Sequence, residues 1–478
     1  MSVETAFRVS VARGYEALRA ALTQAPRGTV AHALLSSAIA QCEADVAGAT
    51  RILERAAERA AGTELDYVIE VLGPLYVSAD NLERLELLLT APQVTPKLAL
   101  SRETLRCVYT VRQRRAPPTS DLKDRVAAED NGLLRARWQQ RLAIAAYHAD
   151  DFETASELAL AAVRSYTAVG AGRGLAAAYS LLYAIHYVAT GDLELALHYA
   201  RLQEKSAKAC GNESLEVAAL VARYELAAEM GDHGALIALR RRLRARTLPQ
   251  QYKERFARSV ADVLYHAWAA DFAAVYVAVT HLAGSAHSTP EERALYAGLQ
   301  SLAEVGLGDA AAARRSARRA LAHVPTGGRR LRPSAHARRY LHVAHGLAAA
   351  TCLLNGDTVR GRRTFEKKTL RSDPAVSSLE AVADGADWRA TSPRVRGYSR
   401  FVAAARDAAK PRRRAILSPA EHLVLQSMAD GKTAGEIAED LDRSISTIRA
   451  HICAIIRKLK VHGQRAALAK ARKVGLVS

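Results

Sequence analysis

The sequence predicts an all-α fold, in which an α-solenoid of helical repeats is followed by a small C-terminal domain of four helices. Three observations predict this fold. Helix-favouring Ala, Leu, Arg and Glu dominate the 478 residues, and no strand-like alternation is sustained. A short turn ending in aspartate recurs about every 40 residues through the middle of the chain. The last 64 residues carry complete helix-capping signals.

The recurring turn joins two apolar helical segments. Its aspartates are 41, 40, 39, 38 and 48 residues apart, at Asp151, Asp192, Asp232, Asp271, Asp309 and Asp357. One helix ends, often at a glycine, and the aspartate is expected to cap the next helix. A single pair of such helices cannot bury its apolar face, so neighbouring pairs are expected to stack. The turn and the large and small residues after it, as in Asp151-Phe152-Glu153-Thr154-Ala155, resemble tetratricopeptide repeats in architecture, although the period is nearer 40 residues than 34.

The pattern divides the chain into four predicted segments. They are irregular N-terminal helical repeats (1–130), tetratricopeptide-like repeats (131–372), a partly helical basic linker (373–414) and the C-terminal domain (415–478). Weaker echoes of the aspartate turn at Asp45 and Asp80 support the first segment. Residues 112–131 include Pro117-Pro118, so a loop is expected there.

The basic charge is concentrated in the last third of the chain. Overall there are 68 Lys and Arg against 49 Asp and Glu, a net charge of +19. Residues 1–309 hold 34 basic against 36 acidic side chains, whereas residues 310–478 hold 34 against 13. A basic end on a near-neutral body is typical of proteins that bind a polyanion. A solvated basic surface or a membrane-surface patch would give the same count.

The cysteines and the N-terminus indicate the compartment. The five cysteines are dispersed and none forms a CxxC pair, which argues against a disulfide framework and for a reducing environment. The N-terminus lacks a basic start leading into an apolar core, so no signal peptide is expected. The uncharged stretches 174–191 and 272–290 contain Ser, Thr and His and are interpreted as repeat helices. We therefore expect a cytoplasmic protein without a membrane segment.

The C-terminal segment contains helix-start signals at regular places. Ser418-Pro419-Ala420-Glu421 is a capping box with proline at the first helical position, and Gly431 is expected to end that helix. Thr433-Ala434-Gly435-Glu436 is a second capping box. A tight Asp442-Arg443 turn then leads to Ser444, which is expected to begin a longer helix. Two short helices, a brief turn and a longer third helix describe helix-turn-helix geometry.

The third of these helices separates into two faces. The stripe expected to be buried consists of Ile448, His451, Ile452, Ile455 and Leu459. The opposite face carries small or cationic residues, namely Ser446, Arg449, Ala450, Cys453 and Arg457. A helix fits the major groove of DNA, where arginine pairs with guanine and small side chains permit close approach. A plain amphipathic helix in a bundle would show the same two faces.

A set of marks runs through about sixty residues in one register. They are Leu417, Ser418, Glu421, Val424-Leu425, Gly431, Glu436-Ile437-Ala438, Leu441, Ser444, Thr447-Ile448-Arg449, His451, Ile455, Lys458-Leu459 and Val461. In this register the domain resembles the LuxR-type (NarL/FixJ-type) helix-turn-helix of bacterial transcription regulators. The resemblance implies that the helix from Ser444 to Lys460 lies in the major groove and that the helix from Gly463 to Val474 supports dimerisation on DNA.

The predicted contacts to DNA fall into two groups. The resemblance implies that Arg449, Ala450 and Cys453 face the bases. The residues expected to contact or position phosphate are Thr433, Ser446, Thr447, Arg457, Lys458, Arg412, Arg413 and Arg414. The family's Asn-Lys is replaced here by Ala434-Gly435, which removes polar groups near the backbone phosphate. The upstream arginines 412–414 are hypothesised to compensate for this loss.

Matches to nucleotide-binding, metal-binding, ligand-binding and catalytic motifs are incomplete in this sequence. Gly431-Lys432-Thr433 resembles the end of a phosphate-binding loop, but Gln426 stands where the leading glycine is required. The histidines near position 340 have no carboxylate at ligand spacing, so neither a metal nor another cofactor is expected. Tyr179, Tyr183 and Tyr187 share a helix face and are interpreted either as core packing or as the lining of a ligand groove. No catalytic constellation is apparent, so an enzyme is not expected.

The sequence therefore predicts a sequence-specific DNA-binding transcription regulator whose repeat body senses a ligand or protein partner. The expected partners are double-stranded DNA, a second copy of the chain on DNA, RNA polymerase, and a small-molecule or peptide effector in the repeat groove. The alternative is a helical-repeat scaffold whose terminal bundle docks to protein rather than to DNA.

Overall fold

The computed structural model describes residues 1–79, 81–90, 99–113, 120–246, 260–284, 290–322, 335–366, 373–409, 417–441, 443–473 and 476–477. These residues are almost entirely helical, and no strand occurs among them, which confirms the predicted all-α fold. Contacts divide them into two compact units. The first comprises 1–226 with 237–246, and the second comprises 227–236, 260–322 and the described residues from 336 onward.

Helices also fill the described part of the N-terminal region. They are α1 (Val3–Ala12), α2 (Tyr15–Leu22), α3 (Val30–Cys42), α4 (Val46–Ala57), α5 (Gly62–Ser78), α6 (Leu82–Thr90), α7 (Ala99–Arg112) and α8 (Ser120–Ala127). The prediction of a loop at 112–131 is wrong for its central part, because α8 lies there and buries Leu122 and Val126 at a spacing of four residues. The two prolines of that stretch, and Asp80, lie outside the described residues.

Paired helices continue through the region of the recurring turn. They are α9 (Gly132–His148), α10 (Phe152–Ala168), α11 (Gly172–Ile185), α12 (Leu193–Ala209), α13 (Glu213–Met230), α14 (His233–Arg244), α15 (Val260–Trp268), α16 (Phe272–Gly284), α17 (Pro290–Gly306), α18 (Ala310–Ala322), α19 (Ala335–Leu354) and α20 (Thr358–Phe365). A π-helical turn, His186–Thr190, extends α11.

Each of the six recurring aspartates caps the helix that follows it. Its Oδ1 accepts a hydrogen bond from the backbone N–H three residues later, at 3.2 Å for Asp151, 2.9 Å for Asp192, 3.0 Å for Asp232 and Asp271, 2.9 Å for Asp309 and 3.3 Å for Asp357. The residue before each aspartate has a positive φ, at Asp150, Gly191, Gly231, Ala270, Gly308 and Gly356. Asp45 caps α4 in the same way, at 2.7 Å. The predicted capping is thus confirmed.

Alanine stripes explain how the pairs pack with so few aromatic residues. The second helix of several pairs buries alanines at spacings of three, four or seven, all 0% exposed: Ala155, Ala159 and Ala162 on α10, Ala196, Ala200 and Ala207 on α12, and Ala313, Ala317 and Ala320 on α18. A methyl side chain lets the axis of a neighbouring helix approach closely. Each of these stripes therefore serves as a contact surface between helices.

The N-terminal helices of the first unit meet its later repeats. The backbone N–H of Tyr15 donates to the carbonyl of Cys210 at 2.9 Å. At Gly14 a Cβ atom would lie only 2.4 Å from that same carbonyl oxygen, so the approach requires glycine. Helix α1 also packs against α11. This arrangement brings side chains of α1 and α3 opposite those of α11 and α13.

Part of the predicted linker 373–414 belongs to the packed core of the second unit. It contains α21 (Pro374–Ala383) and α22 (Arg396–Ala409). On α22 the side chains of Tyr398, Phe401 and Val402 are buried, and the helix packs against α15 and α17. The basic run Arg412–Arg414 lies outside the described residues.

The described residues of the two uncharged stretches are largely helical, with α11 and its π-helical turn in the first and α16 in the second, and residues 285–289 lie outside the described part. Within the part of the chain that the structure describes, no helix combines the length and the apolarity needed to cross a membrane.

Candidate nucleic-acid interface

The C-terminal domain arranges four helices around one small core. They are α23 (Pro419–Ala429), α24 (Ala434–Asp440), α25 (Ile445–Lys458) and α26 (Gln464–Lys473). Leu425, Ile437 and Ile455 are fully buried in an apolar cluster to which all four helices contribute. Both short helices, α23 and α24, pack against the longer α25. The predicted helix-turn-helix arrangement is confirmed.

Both predicted capping boxes are present. The backbone N–H of Ser418 donates to Glu421 Oε2 at 2.5 Å, and the N–H of Glu421 donates to Ser418 Oγ at 3.3 Å. At the second box the N–H of Thr433 donates to Glu436 Oε2 at 2.7 Å, and the N–H of Glu436 donates to Thr433 Oγ1 at 3.4 Å. These reciprocal bonds fix where α23 and α24 begin.

The two faces of α25 are those expected from the sequence. Ile448, Ile452, Ile455 and Leu459 are buried, whereas His451 is only partly buried. The predicted base-facing residues Arg449, Ala450 and Cys453 are exposed, as is Arg457. Among the described residues neither Arg449 nor Arg457 has an ion-pair partner. The exposed face therefore combines two uncommitted guanidinium groups with small side chains that allow close approach.

The N-terminus of α25 carries three exposed hydroxyl groups. Ser444 Oγ accepts a hydrogen bond from the backbone N–H of Thr447 at 3.2 Å and lies 2.8 Å from the hydroxyl oxygens of Ser446 and Thr447. Hydroxyls and free N–H groups at a helix N-terminus are donors suited to phosphate oxygens. This geometry is compatible with the predicted positioning role of Ser446 and Thr447.

Thr433 is exposed but already engaged. Its hydroxyl donates to Glu436 Oε2 at 2.8 Å. Hydrogen bonds from the Thr433 backbone and hydroxyl lower the pKa of Glu436, so this carboxylate stays charged at neutral pH. A carboxylate at this position repels phosphate. The structure therefore makes the predicted phosphate contact of Thr433 dependent on its hydroxyl turning away from Glu436.

Lys458 also has a partner inside the domain. Its Nζ lies 2.6 Å from Oε2 of Glu421, whose side chain is only 6% exposed. Burial alone raises the pKa of Glu421, but hydrogen bonds from Lys458 and from the Ser418 backbone outweigh it and hold the pKa below its ordinary value. The pair ties the end of α25 to the start of α23. The exposed neighbour Arg457 has no such tie among the described residues.

The tyrosine stripe of α11 and its π-helical turn packs between helices. Tyr183 and Tyr187 are buried and their rings stack with centroids 5.5 Å apart. The partly buried Tyr179 stacks on Tyr199 at 6.3 Å. This arrangement matches the core-packing interpretation of the stripe.

A buried ionic cluster in the first unit was not anticipated. The carboxylate of Glu70 is 0% exposed and lies 2.6 Å from Nε of Arg137 and from Nη2 of Arg141. Trp138 Nε1 also donates to it, at 3.2 Å. The sequence signal was a lone acid within the otherwise apolar run Tyr67–Tyr76, which implies a buried partner but does not identify it. Among the described residues no group of three or more His, Cys, Asp or Glu side chains is placed to hold a metal ion.

Comparison with known proteins agrees with this geometry. The family model for bacterial regulatory proteins of the luxR family matches residues 415–471. The HTH-type quorum sensing-dependent transcriptional regulator RpaR of Rhodopseudomonas palustris is 41% identical over 80 residues, which is 17% of this chain and 32% of that protein. The chain thus spans about a third of the length of this curated relative. Residues 415–471 form a LuxR-type helix-turn-helix domain.

Proposed function

We propose that this protein is a sequence-specific DNA-binding transcriptional regulator whose helical-repeat body senses a ligand or protein partner and controls the C-terminal domain. The observation that carries the proposal is the exposed face of α25, where Arg449, Ala450, Cys453 and Arg457 lie opposite a fully buried apolar stripe. A helix of this kind, presented by two shorter helices, fits the major groove. The family match over 415–471 supports the same reading.

In this proposal the residues divide by task. Arg449 reads a base edge, and Ala450 and Cys453 allow the helix to approach the bases. Arg457, Ser446 and Thr447 contact phosphate and set the register. Helix α26 exposes Gln464 and Arg465 and buries Ala467 and Ala471, and its exposed side is the proposed dimer contact on DNA. RNA polymerase is a further proposed partner.

One contact between a repeat helix and the DNA-binding domain is a candidate route by which the repeats control that domain. Helix α16 packs against α23 of the DNA-binding domain. A cavity of about 640 Å³ lies between them, lined by Tyr276, His281, Leu423 and His451 among others. The contact between α16 and α23 is small, and the cavity beside it leaves the two helices loosely packed there. Such a contact is suited to opening and closing. We propose that an effector acting on the repeats, which we take to be tetratricopeptide-like, shifts this contact or the dimerisation of the domain.

The test is selection of bound genomic fragments by the full chain, followed by binding titrations at two salt concentrations. Arg449→Ala is expected to weaken specific binding by about 1–3 kcal/mol, roughly 5- to 150-fold, and to relax the preference at one base position. Arg27→Ala is the matched control, because Arg27 is exposed in the first unit and its loss changes the net charge equally.

Two results would refute the proposal. The first is the absence of any sequence-selective binding, which is what a scaffold that docks its terminal bundle to protein would show. The second is selective binding that Arg449→Ala leaves unchanged in affinity and in base preference, since the α25 face would then not be the reading surface.

A further inference from the structure

The first unit contains a cavity of about 430 Å³ that is open to solvent on one side. Its walls come from both ends of this unit, because Ser10 of α1 and Gln41 of α3 line it together with residues of α11 and α13. Much of the lining is apolar, including Leu75, Leu105 and Leu215. A volume of this size is typical of a site for a small organic molecule and is too small for a folded partner.

Three arginines line this cavity, and no Asp or Glu is among its lining residues. Two of the three, Arg137 and Arg141, contact Glu70, whose single negative charge offsets one of their two positive charges. Burial alone raises the pKa of Glu70, but the charges of Arg141 and Arg137 and the hydrogen bonds from Arg141 and Ser101 hold it at about 2. This carboxylate is therefore fully charged at neutral pH, and it is committed to those two arginines.

The third arginine, Arg173, is different. It is only 9% exposed, and among the described residues its guanidinium has no carboxylate partner. It donates to the carbonyl of Ser10 and, at 3.5 Å, to Oε1 of Gln41, while its buried Nε has no hydrogen-bond partner. Burial lowers the pKa of Arg173, but a guanidinium keeps its proton at neutral pH. A buried positive charge of this kind is unfavourable unless an anion reaches it.

Gly174 and Tyr166 pack closely beside Arg173. At the next residue, Gly174, a Cβ atom would lie 2.3 Å from the Tyr166 ring, so only glycine lets that ring pack there. Tyr166 is buried and its hydroxyl donates to Gln140 Oε1 at 2.8 Å. Both residues line the cavity. The donors and the apolar wall thus line the same cavity.

We propose that this cavity binds a small amphipathic carboxylate, whose carboxylate pairs with Arg173 and whose apolar body packs against the leucine-lined wall. A carboxylate has two acceptor oxygens, which one guanidinium can meet with two parallel hydrogen bonds, and Arg173 is the lining arginine that has no carboxylate contact among the described residues. A phosphate monoester presents three acceptor oxygens, whereas the guanidinium donors of Arg137 and Arg141 are largely taken up by Glu70. The inference deepens the proposed function, since such a molecule is the effector that the repeat body would sense.

The test uses the full chain and four probes in titration calorimetry and thermal unfolding. Octanoate and 4-phenylbutyrate supply the proposed chemistry, octanamide removes the charge while keeping the shape, and octyl phosphate tests the other anion. Octanoate is expected to raise the melting temperature and to bind at least about tenfold more tightly than octanamide and octyl phosphate.

The variants locate the site. Arg173→Met is expected to weaken octanoate binding by at least about tenfold, while Arg164→Met, which removes an exposed arginine of α10, leaves it unchanged. Should Arg173→Met fail to fold, Ala177→Leu serves the same purpose, because Ala177 lines the cavity and a larger side chain there fills it. Circular dichroism checks the fold of each variant.

Several outcomes would overturn the inference: no binding of either carboxylate in the millimolar range, equal binding of octanoate and octanamide, tighter binding of octyl phosphate, or unchanged octanoate binding in folded Arg173→Met or Ala177→Leu. Sequence-selective DNA binding is measured separately without any probe. If it persists while octanoate fails to bind, the ligand inference fails and the proposed DNA role stands.

Discussion

Two pairs of arginines, one in the first unit and one in the DNA-binding domain, are used in opposite ways. In the repeats, Arg137 and Arg141 enclose the buried carboxylate of Glu70. On α25, Arg449 and Arg457 are exposed, and within the described chain neither has an ion-pair partner. A count of charges treats these arginines as equal. Only the pairing separates charge that holds the fold together from charge that is available to a polyanion.

The largest effect is expected where the paired charge is most deeply buried. Glu70→Gln keeps the shape of the side chain but leaves two guanidinium groups without a counter-charge. We expect the free energy of unfolding to fall by about 3–5 kcal/mol, measured by urea denaturation of the full chain followed by circular dichroism. Glu157→Gln, at an exposed position of α10, is the control and should change stability by less than about 0.5 kcal/mol. A loss below about 1 kcal/mol for Glu70→Gln would mean that the pairing is not structural.

The cluster of Glu70, Arg137 and Arg141 also makes the stability of the protein depend on pH. The pKa of Glu70 is lowered to about 2, so its contribution to stability is present above the ordinary carboxyl pKa of about 4.3 and is lost as the pH falls towards 2. The stability of Glu70→Gln should therefore vary less than that of the wild type between about pH 5 and pH 2. Parallel pH profiles for the two proteins would contradict this origin of the stability.

A smaller effect is expected at the half-buried pair of the DNA-binding domain. Glu421→Gln removes the charge that caps α23 and pairs with Lys458, at an expected cost of about 1–2 kcal/mol. Hydrogen exchange of the α23 and α25 amides in the full chain measures this locally. Because the pKa of Glu421 is lowered, the difference from the wild type should shrink as the pH falls through that pKa. Glu439→Gln, exposed on α24, is the matched control and should leave the exchange rates unchanged.

The features that could be predicted from the sequence are those that depend on residues close together along the chain. The aspartate caps, the capping boxes of Ser418 and Thr433 and the two faces of α25 depend on residues three or four positions apart, and these were predicted correctly. The phosphate contacts proposed for Arg412–Arg414 lie outside the described residues.

Features that depend on distant parts of the chain were not predicted. Glu70 meets Arg137 across 67 residues, and Arg173 meets Ser10 across 163. Periodicity contains no information about such pairs, because they arise only when the stack brings the N-terminal helices back to the later repeats. The helix α8 was missed for another reason. Its two buried residues are too few to outweigh the nearby prolines in a sequence pattern.

The smallest expected effects concern Arg457 and Lys458, two adjacent basic residues of α25 that differ in ion pairing. Arg457 is exposed without an ion-pair partner among the described residues, whereas Lys458 lies 2.6 Å from Glu421. Arg457→Ala is expected to reduce the slope of log K against log salt by about 0.9 and to weaken binding to all sequences alike, without loss of stability. Lys458→Met is expected to leave that slope unchanged and to lower the stability of the domain by about 0.5–1 kcal/mol.

Both variants remove one positive charge from neighbouring positions, so a difference between them cannot come from net charge. Binding titrations at four or more salt concentrations give the two slopes, and hydrogen exchange gives the two stabilities. An equal loss of slope would mean that the Glu421 pair opens when DNA binds, and that Lys458 then contacts phosphate as the sequence suggests. An unchanged slope for Arg457→Ala would instead remove the C-terminal end of α25 from the phosphate contacts and confine the interface to its N-terminal half.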